Sequence, residues 1–518
     1  MLAPHLFKSF EWAVGSRVCL RLFFSSAVTL FGPLPVFLRS AETTARHAPA
    51  KPNVIVILTD DLGYADLGAQ GQERDVRTPH LDRLAAEGVR CTAGYVTAPQ
   101  CSPSRAGLIT GRYQERLGID TIPDMPLPLA AVTIPKRLRG AGYISGQIGK
   151  WHLEPNALSL NWAATNLPAQ VPDAAKRIVI PEAARQRFMP AAQGFDDYFC
   201  GEMKQYFANY DLNGAAVTPA WRKDDRFRVD VQTDAAIAFL RRNAEKPFFL
   251  YLCYFAPHTP LELPSPYVEQ FTKDMPLRRR AALSMIAGID HGVGQILAEL
   301  KARGIDDRTL VFFTSDNGAP IHERRDSPLD QDMGGWDGSL NTPWVGEKGM
   351  LAEGGIRVPF IARWPGKLPA GKTYAETVST LDIAATACAL AGLPAESQLD
   401  GVDLIPHLTG QNPQPPHSEL YWRFWSQAAV RAGRWKLIYK AGEPDRLFDI
   451  ESDEHEHHDL AASAHDRVAA LHQRLEKWTD QLLPRGLPPD KHDREERVWY
   501  QEYFPRTDAE ESSHSVKN

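Results

Sequence analysis

Four apolar runs organise the chain, and each closes on polar residues. Asn53-Val54-Ile55-Val56-Ile57-Leu58-Thr59 closes on Asp60-Asp61, and Tyr143-Ile144-Ser145-Gly146-Gln147-Ile148 on Gly149-Lys150-Trp151-His152. Phe248-Phe249-Leu250-Tyr251-Leu252-Cys253-Tyr254-Phe255 closes on Ala256-Pro257-His258, and Thr309-Leu310-Val311-Phe312-Phe313-Thr314-Ser315 on Asp316-Asn317-Gly318. Such runs predict strands buried on both faces, as in a parallel sheet. The carboxyl ends of strands line the ligand crevice in open sheets of this kind, so the polar closures are expected along one edge.

Helical periods lie between the strands. Thr78 to Gly88 predicts a helix with Thr78 as cap and Pro79 at the first position. Arg278 to Arg303 repeats apolar residues at Met285, Ile289, Val293, Ile296 and Leu300 before Gly304, and its Asp290-His291 pair reads as surface or inter-element bonding. Val378 to Leu390 predicts a further helix in which Asp382 bonds a neighbouring backbone. After Leu408 the stretch Gly410-Gln411-Asn412-Pro413-Gln414-Pro415-Pro416 marks a boundary. Beyond it Ala428 to Arg431, Trp435 to Tyr439 and Arg446 to Asp449 predict a small antiparallel sheet, followed by a helix from Arg467 to Leu482. The His-rich turn Glu451 to Asp459 reads as solvated, not metal-binding. The expected fold is α/β: a large mixed, mostly parallel sheet flanked by helices over 51–408, then an α+β subdomain with a packed helix over 417–500 and a tail over 501–518.

Composition narrows the function. A chain of 518 residues with 43% hydrophobic and 24% charged residues is ordinary globular material, long enough for two packed units. A net charge of −6 offers no basic field for nucleic acid. Six cysteines without metal-ligand spacing exclude a disulfide scaffold or a zinc module. Lys8 and Arg17 precede an apolar run from Leu22 to Phe31, which reads as a signal peptide and leader over 1–50 and predicts export. That run is shorter than the ~18 apolar residues a membrane span needs, and no other stretch is expected to cross.

The candidate chemistry gathers at Cys101-Ser102-Pro103-Ser104-Arg105-Ala106-Gly107-Leu108-Ile109-Thr110-Gly111-Arg112. Pro103 predicts a helix start with Ser102 or Ser104 near the cap and Arg105 one turn on, which suits an anion at Cys101. The plainer alternative is a buried cysteine before an ordinary helix. Asp60, Asp61, Asp316 and Asn317 form an all-oxygen set suited to a hard divalent cation, although Asp-Asp at a strand end also serves turns. Lys150, His152, His258 and Lys348 supply cations and titratable rings at the other closures; each alone is as readily a loop residue.

In combination these stretches resemble the type I sulfatases, of the alkaline phosphatase superfamily. The likeness runs from Asn53 to Pro365: Asp60-Asp61-Leu62-Gly63-Tyr64-Ala65-Asp66-Leu67-Gly68, the Cys101 stretch, Gly149-Lys150-Trp151-His152-Leu153, Ala256-Pro257-His258-Thr259-Pro260, Thr314-Ser315-Asp316-Asn317-Gly318 and Gly346-Glu347-Lys348-Gly349-Met350. The resemblance implies that a maturation enzyme oxidises Cys101 to Cα-formylglycine. It further implies one divalent metal, Ca²⁺ or Mg²⁺, at Asp60, Asp61, Asp316, Asn317 and the modified Cys101. By the same resemblance one hydroxyl of the hydrated aldehyde, acidified by the metal and Arg105, attacks sulfur. Lys150, Lys348 and His258 hold the sulfate, His258 also protonates the leaving alcohol, and His152 takes the second hydroxyl proton to expel sulfate. The chain departs from the family where Glu154-Pro155 follow Leu153, a position often held by glycine, which alters the loop leaving His152.

A phosphate or phosphonate monoester hydrolase on the same fold and a non-catalytic glycan-binding relative are the alternatives. The loops Asn156 to Gly194 and Ala319 to Trp344 are expected to select the alcohol, with Trp336, Trp344, Trp422 or Trp425 as candidates to stack on a sugar, although each tryptophan alone reads more readily as core or rim packing.

Overall fold

The computed structural model describes residues 51–122, 125–174, 176–321, 329, 336–484 and 493–504. The predicted leader and most of the predicted tail lie outside them. A ten-stranded sheet carries the fold, in the order Lys372–Tyr374, Val89–Cys91, Phe360–Arg363, Thr309–Ser315, Asn53–Asp60, Phe248–Pro257, Ile144–Gly149, Asp197–Cys200, Lys204–Tyr210 and Ala216–Asp224. The four predicted strands are its four central neighbours and run parallel, while the margins add antiparallel pairs. Every residue of Asn53–Asp60, Phe248–Pro257 and Thr309–Ser315 is buried, because alternate side chains enter two separate cores on opposite faces.

The Leu277–Ala302 helix covers one of these faces. It is long and apolar enough to cross a membrane, contrary to the sequence expectation, but 83% of its apolar window is buried inside the protein. This is a core helix. Its Asp290 accepts hydrogen bonds from the His80 and Leu81 N–H groups at 2.8 and 2.7 Å, so it caps the Pro79–Ala86 helix from a distance. The predicted cap Thr78 does not serve: its hydroxyl donates to Asp82 and accepts from the Gly68 N–H.

Two further departures concern the second half. Val378–Ser379 pairs with Gly94–Tyr95 as a short strand, and the helix begins only at Asp382. There Asp382 accepts from the Ser379 and Val402 N–H groups, the backbone role expected of it. The C-terminal sheet has four strands, because Glu419–Phe424 pairs with the predicted first strand along its length. The His465–Thr479 helix packs on this sheet through Leu471, Leu475 and Trp478. An unanticipated helix, Asp493–Tyr503, follows and buries Tyr500 against the same sheet.

Candidate active site

Parallel register brings the polar closures together, with Asp60 beside Pro257 and Thr59 beside Ser315. The backbone bends sharply where they leave the sheet. Asp61 and His152 hold left-handed φ angles of 62° and 58°, a cost of roughly 1–3 kcal/mol each that is typical of functional sites. Gly149, at φ 82°, has no room for a side chain: a Cβ would fall 1.9 Å from the Cys253 carbonyl oxygen. This glycine lets the strand turn and deliver Lys150.

Cys101 is the first residue of the Cys101–Thr110 helix and is fully buried. Neither Ser102 nor Ser104 caps that helix; instead the Ser102 hydroxyl donates to the His152 carbonyl at 2.7 Å and ties the Cys101 helix to the His152 segment. The Cys101 thiol lies 3.4 Å from Asp60 Oδ1. Burial lifts it well above the ordinary cysteine range, against the pull of Lys150 and Lys348 and with the help of Asp60. The guanidinium of Arg105 is taken by carboxylates: Nε and Nη2 reach Asp316 Oδ2 at 2.9 and 2.7 Å, and Nη2 approaches Asp60 at 3.7 Å.

Around the thiol, Asp60, Asp61 and Asp316 each offer an oxygen within 4.8 Å of one another and of the sulfur, and all three are at most 1% exposed. Lys150 Nζ lies 2.6 Å from Asp60 and Lys348 Nζ 2.7 Å from Asp61. Burial opposes the charge on Asp60, yet Lys150, His258 and Arg105 hold it well below the usual carboxylate range. Asp316 is less well compensated: burial and the neighbouring Asp60 charge push it up to about 7 despite Arg105. Asn317 donates to Asp61 at 2.6 Å, while its buried Oδ1 has no partner among the described residues. Three buried carboxylates and an amide oxygen are a donor set that fits a hard divalent cation, beside the three cations Lys150, Lys348 and Arg105 that already face them.

Burial favours the neutral form of both histidines. It acts with the Lys150 and Arg105 charges to drive His152 well below its ordinary value, and its buried Nδ1 has no partner among the described residues. Burial likewise takes His258 down to about 4, partly offset by Asp60. His258 Nδ1 sits 2.6 Å from the Thr259 carbonyl, which leaves Nε2 facing Asp61 at 3.7 Å.

Sequence reasoning missed several residues here. Asp337, 1% exposed, joins Asp61 and His258 in a second cluster, and its Asp-Gly setting reads only as a turn. Gln427, from the C-terminal sheet, donates to the Gly349 carbonyl at 2.9 Å and accepts from the Leu351 N–H at 3.0 Å. The same side chain contacts Glu496 and Tyr500 of the last described helix, so the C-terminal region holds the Lys348 loop.

Of the named tryptophans Trp422 and Trp344 are buried and packed, the reading each alone favours, while Trp425 and Trp336 are half-buried. Trp422 is buried and donates to the Val96 carbonyl; Trp344 lies between Tyr64 and Arg357; Trp425 stacks with Phe424 and Trp499. Trp336 donates to the Ser339 carbonyl. Trp221, which was not singled out, instead lines a cavity of about 540 Å³ together with His152.

Comparison with known proteins agrees with this geometry. A family model described as Sulfatase matches residues 52–393, and one described as N-sulphoglucosamine sulphohydrolase, C-terminal, matches 344–481. The chain is 32% identical to N-acetylgalactosamine-6-sulfatase of Canis lupus familiaris over 78% of this chain and 75% of that protein. It is 30% identical to steryl-sulfatase of Mus musculus, covering 87% of each. Among solved structures, Ps i-CgsB in complex with k-i-k-neocarrahexaose superposes with a TM-score of 0.68 at 30% identity, over 88% of this chain and 98% of that one.

Proposed function

The chain belongs to the sulfatase family and is a sulfuric ester hydrolase; from that premise we propose that it desulfates saccharides outside the cytoplasm with a nucleophile made from Cys101. The observation that carries this reading is the buried thiol set among three carboxylates and the ammonium groups of Lys150 and Lys348. A thiol raised by burial is a poor nucleophile. Cα-formylglycine at Cys101, formed by a maturation enzyme before folding, supplies a hydrated aldehyde in its place.

Asp60, Asp61, Asp316, Asn317 and the modified Cys101 would hold one divalent cation, Ca²⁺ in our reading with Mg²⁺ as second choice. When bound, that cation supplies Lewis-acid charge for the nucleophilic hydroxyl and the sulfate. With the carboxylates committed to it, Lys150 and Lys348 are the donors left for the non-bridging sulfate oxygens. Arg105 fixes Asp316 and Asp60 in place. His258 is our choice for protonating the leaving alcohol, a role that requires the imidazolium form: its Nδ1 proton is held by the Thr259 carbonyl, so Nε2, which faces Asp61, must take up a proton when the anionic sulfate binds. His152, held neutral and tied to the Cys101 helix through Ser102, is positioned to accept the proton released at turnover.

The saccharide reading is supported by the names of the relatives and by the oligosaccharide in the Ps i-CgsB complex. Export follows from the leader. Release of inorganic sulfate from a panel of galactose, N-acetylgalactosamine and glucosamine sulfates tests it. The matured protein should turn over at least one, and Cys101→Ala should lose at least about 10⁴-fold in kcat with its fold intact. Failure on every saccharide sulfate alongside turnover of aryl or steryl sulfates would overturn the substrate class.

A further inference from the structure

We propose that the cavity beside His152 is the subsite for the sugar next to the scissile sulfate, and that it takes an uncharged, hydroxyl-bearing unit in preference to one carrying a second anion. The inference rests on the sulfated-saccharide reading above. The cavity holds about 540 Å³, within the roughly 300–1,000 Å³ of small-ligand sites. His152 lines it directly, so its occupant shares a wall with the reaction centre.

The charges facing the cavity are two carboxylates, Glu154 and Glu202, and one guanidinium, Arg185. Arg185 is already committed. It pairs with Glu154 at 3.0 Å and lies over the Trp221 ring, 5.2 Å from its centroid. Trp221 is fixed in turn by its indole N–H, which donates to Glu182 at 2.8 Å, and by Phe207 beneath it. Glu202 is exposed as a residue, yet its carboxyl sits deep enough that burial raises it while Lys150 opposes the rise, and among the described residues its carboxylate has no hydrogen-bond partner. An acceptor of this kind suits vicinal sugar hydroxyls, whose donors it can bind in pairs.

A second sulfate entering here would face the Glu202 charge and compete with Glu154 for Arg185. Like charges in such proximity disfavour the wrong partner by about tenfold or more. Glu154 stands where the sequence departs from the family pattern, so the pairing belongs to this chain's own loop. The three-residue core of Trp162, Ala163 and Ile178 makes that loop a structured wall.

The test compares two disaccharides built on N-acetylgalactosamine 6-sulfate, identical except that one carries a further sulfate on the neighbouring sugar. The wild-type protein should favour the singly sulfated one by about tenfold in kcat/KM, and Glu202→Gln should bring the ratio within about threefold. Glu202→Ala should shift the ratio the same way. A wild-type preference for the disulfated compound, or a ratio unmoved in both variants, overturns the proposal. If the formylglycine-bearing protein releases sulfate from neither compound nor from any other saccharide sulfate, the saccharide reading itself falls, and the subsite with it.

Discussion

On the floor of the site Lys150 and Lys348 sit 2.6 and 2.7 Å from carboxylates that are at most 1% exposed, whereas in the side cavity Glu202 is an exposed residue with no such close partner among the described residues and Glu154 is tied to a half-exposed arginine. Apart from Lys348, whose loop is held by Gln427, the floor is assembled from the ends of adjacent parallel strands, whose register leaves those residues little freedom. The cavity wall comes from a loop with its own small core and from marginal antiparallel strands. The difference separates two jobs. Sulfur chemistry needs charges fixed in a dry place, where they act strongly and do not reorganise. Choice of alcohol needs replaceable groups at the edge, where one charge changes discrimination by tenfold and leaves the fold alone.

After loss of Cys101 itself, the largest effect expected on the floor is that of Lys150→Ala. It removes the proposed sulfate ligand and the nearest cation of buried Asp60, leaving the more distant Arg105, His258 and Lys348, so kcat should fall by about 10²–10³. In metal-free protein stability should drop by about 3–5 kcal/mol, read from denaturant unfolding. Trp221→Ala, made in the wall, should instead raise KM for saccharide sulfates with little change in Tm. A Lys150 variant that unfolds no more easily than the Trp221 variant would erase the distinction.

Gln427→Ala probes how the floor is held from outside. It strips the hydrogen bonds to Gly349 and Leu351, and kcat should fall by about tenfold. In a Lys348→Ala background the same change should cost little further, because Gln427 acts through that lysine. Full additivity would show that Gln427 serves stability only.

The smallest effect concerns pH. Burial and neighbouring cations depress His152, so its base-competent neutral form is fully present above pH 6.5 and is lost only as pH falls well below that value. The kcat profile should therefore be flat between pH 6.5 and 8 as far as this group is concerned. An ascending limb near pH 6.5 that vanishes in His152→Ala would contradict its placement.

Legibility in the sequence followed the same division. The four central strands and their closures were readable because burial on both faces leaves an unbroken apolar run, and because the Cys101 stretch is long and distinctive. Tertiary partners were not readable. Asp290 replaced Thr78 as a cap across some two hundred residues of chain. Gln427 and Asp337 belong to segments whose local pattern, a strand and a turn, gives no sign of where they dock. The tryptophans show a related limit: aromatic bulk says that a side chain is covered, not by what, so Trp422 is core, as each tryptophan alone is expected to be, while Trp221, which lines the cavity, carries no local sign of it.

The central claim is that Cys101 serves only after oxidation, and mass analysis of the peptide running from Cys91 to Arg105 tests it most directly. Protein that releases sulfate should carry the aldehyde or its hydrate at position 101, with activity in proportion to the converted fraction. Full activity in a preparation whose Cys101 is an intact thiol would contradict the account.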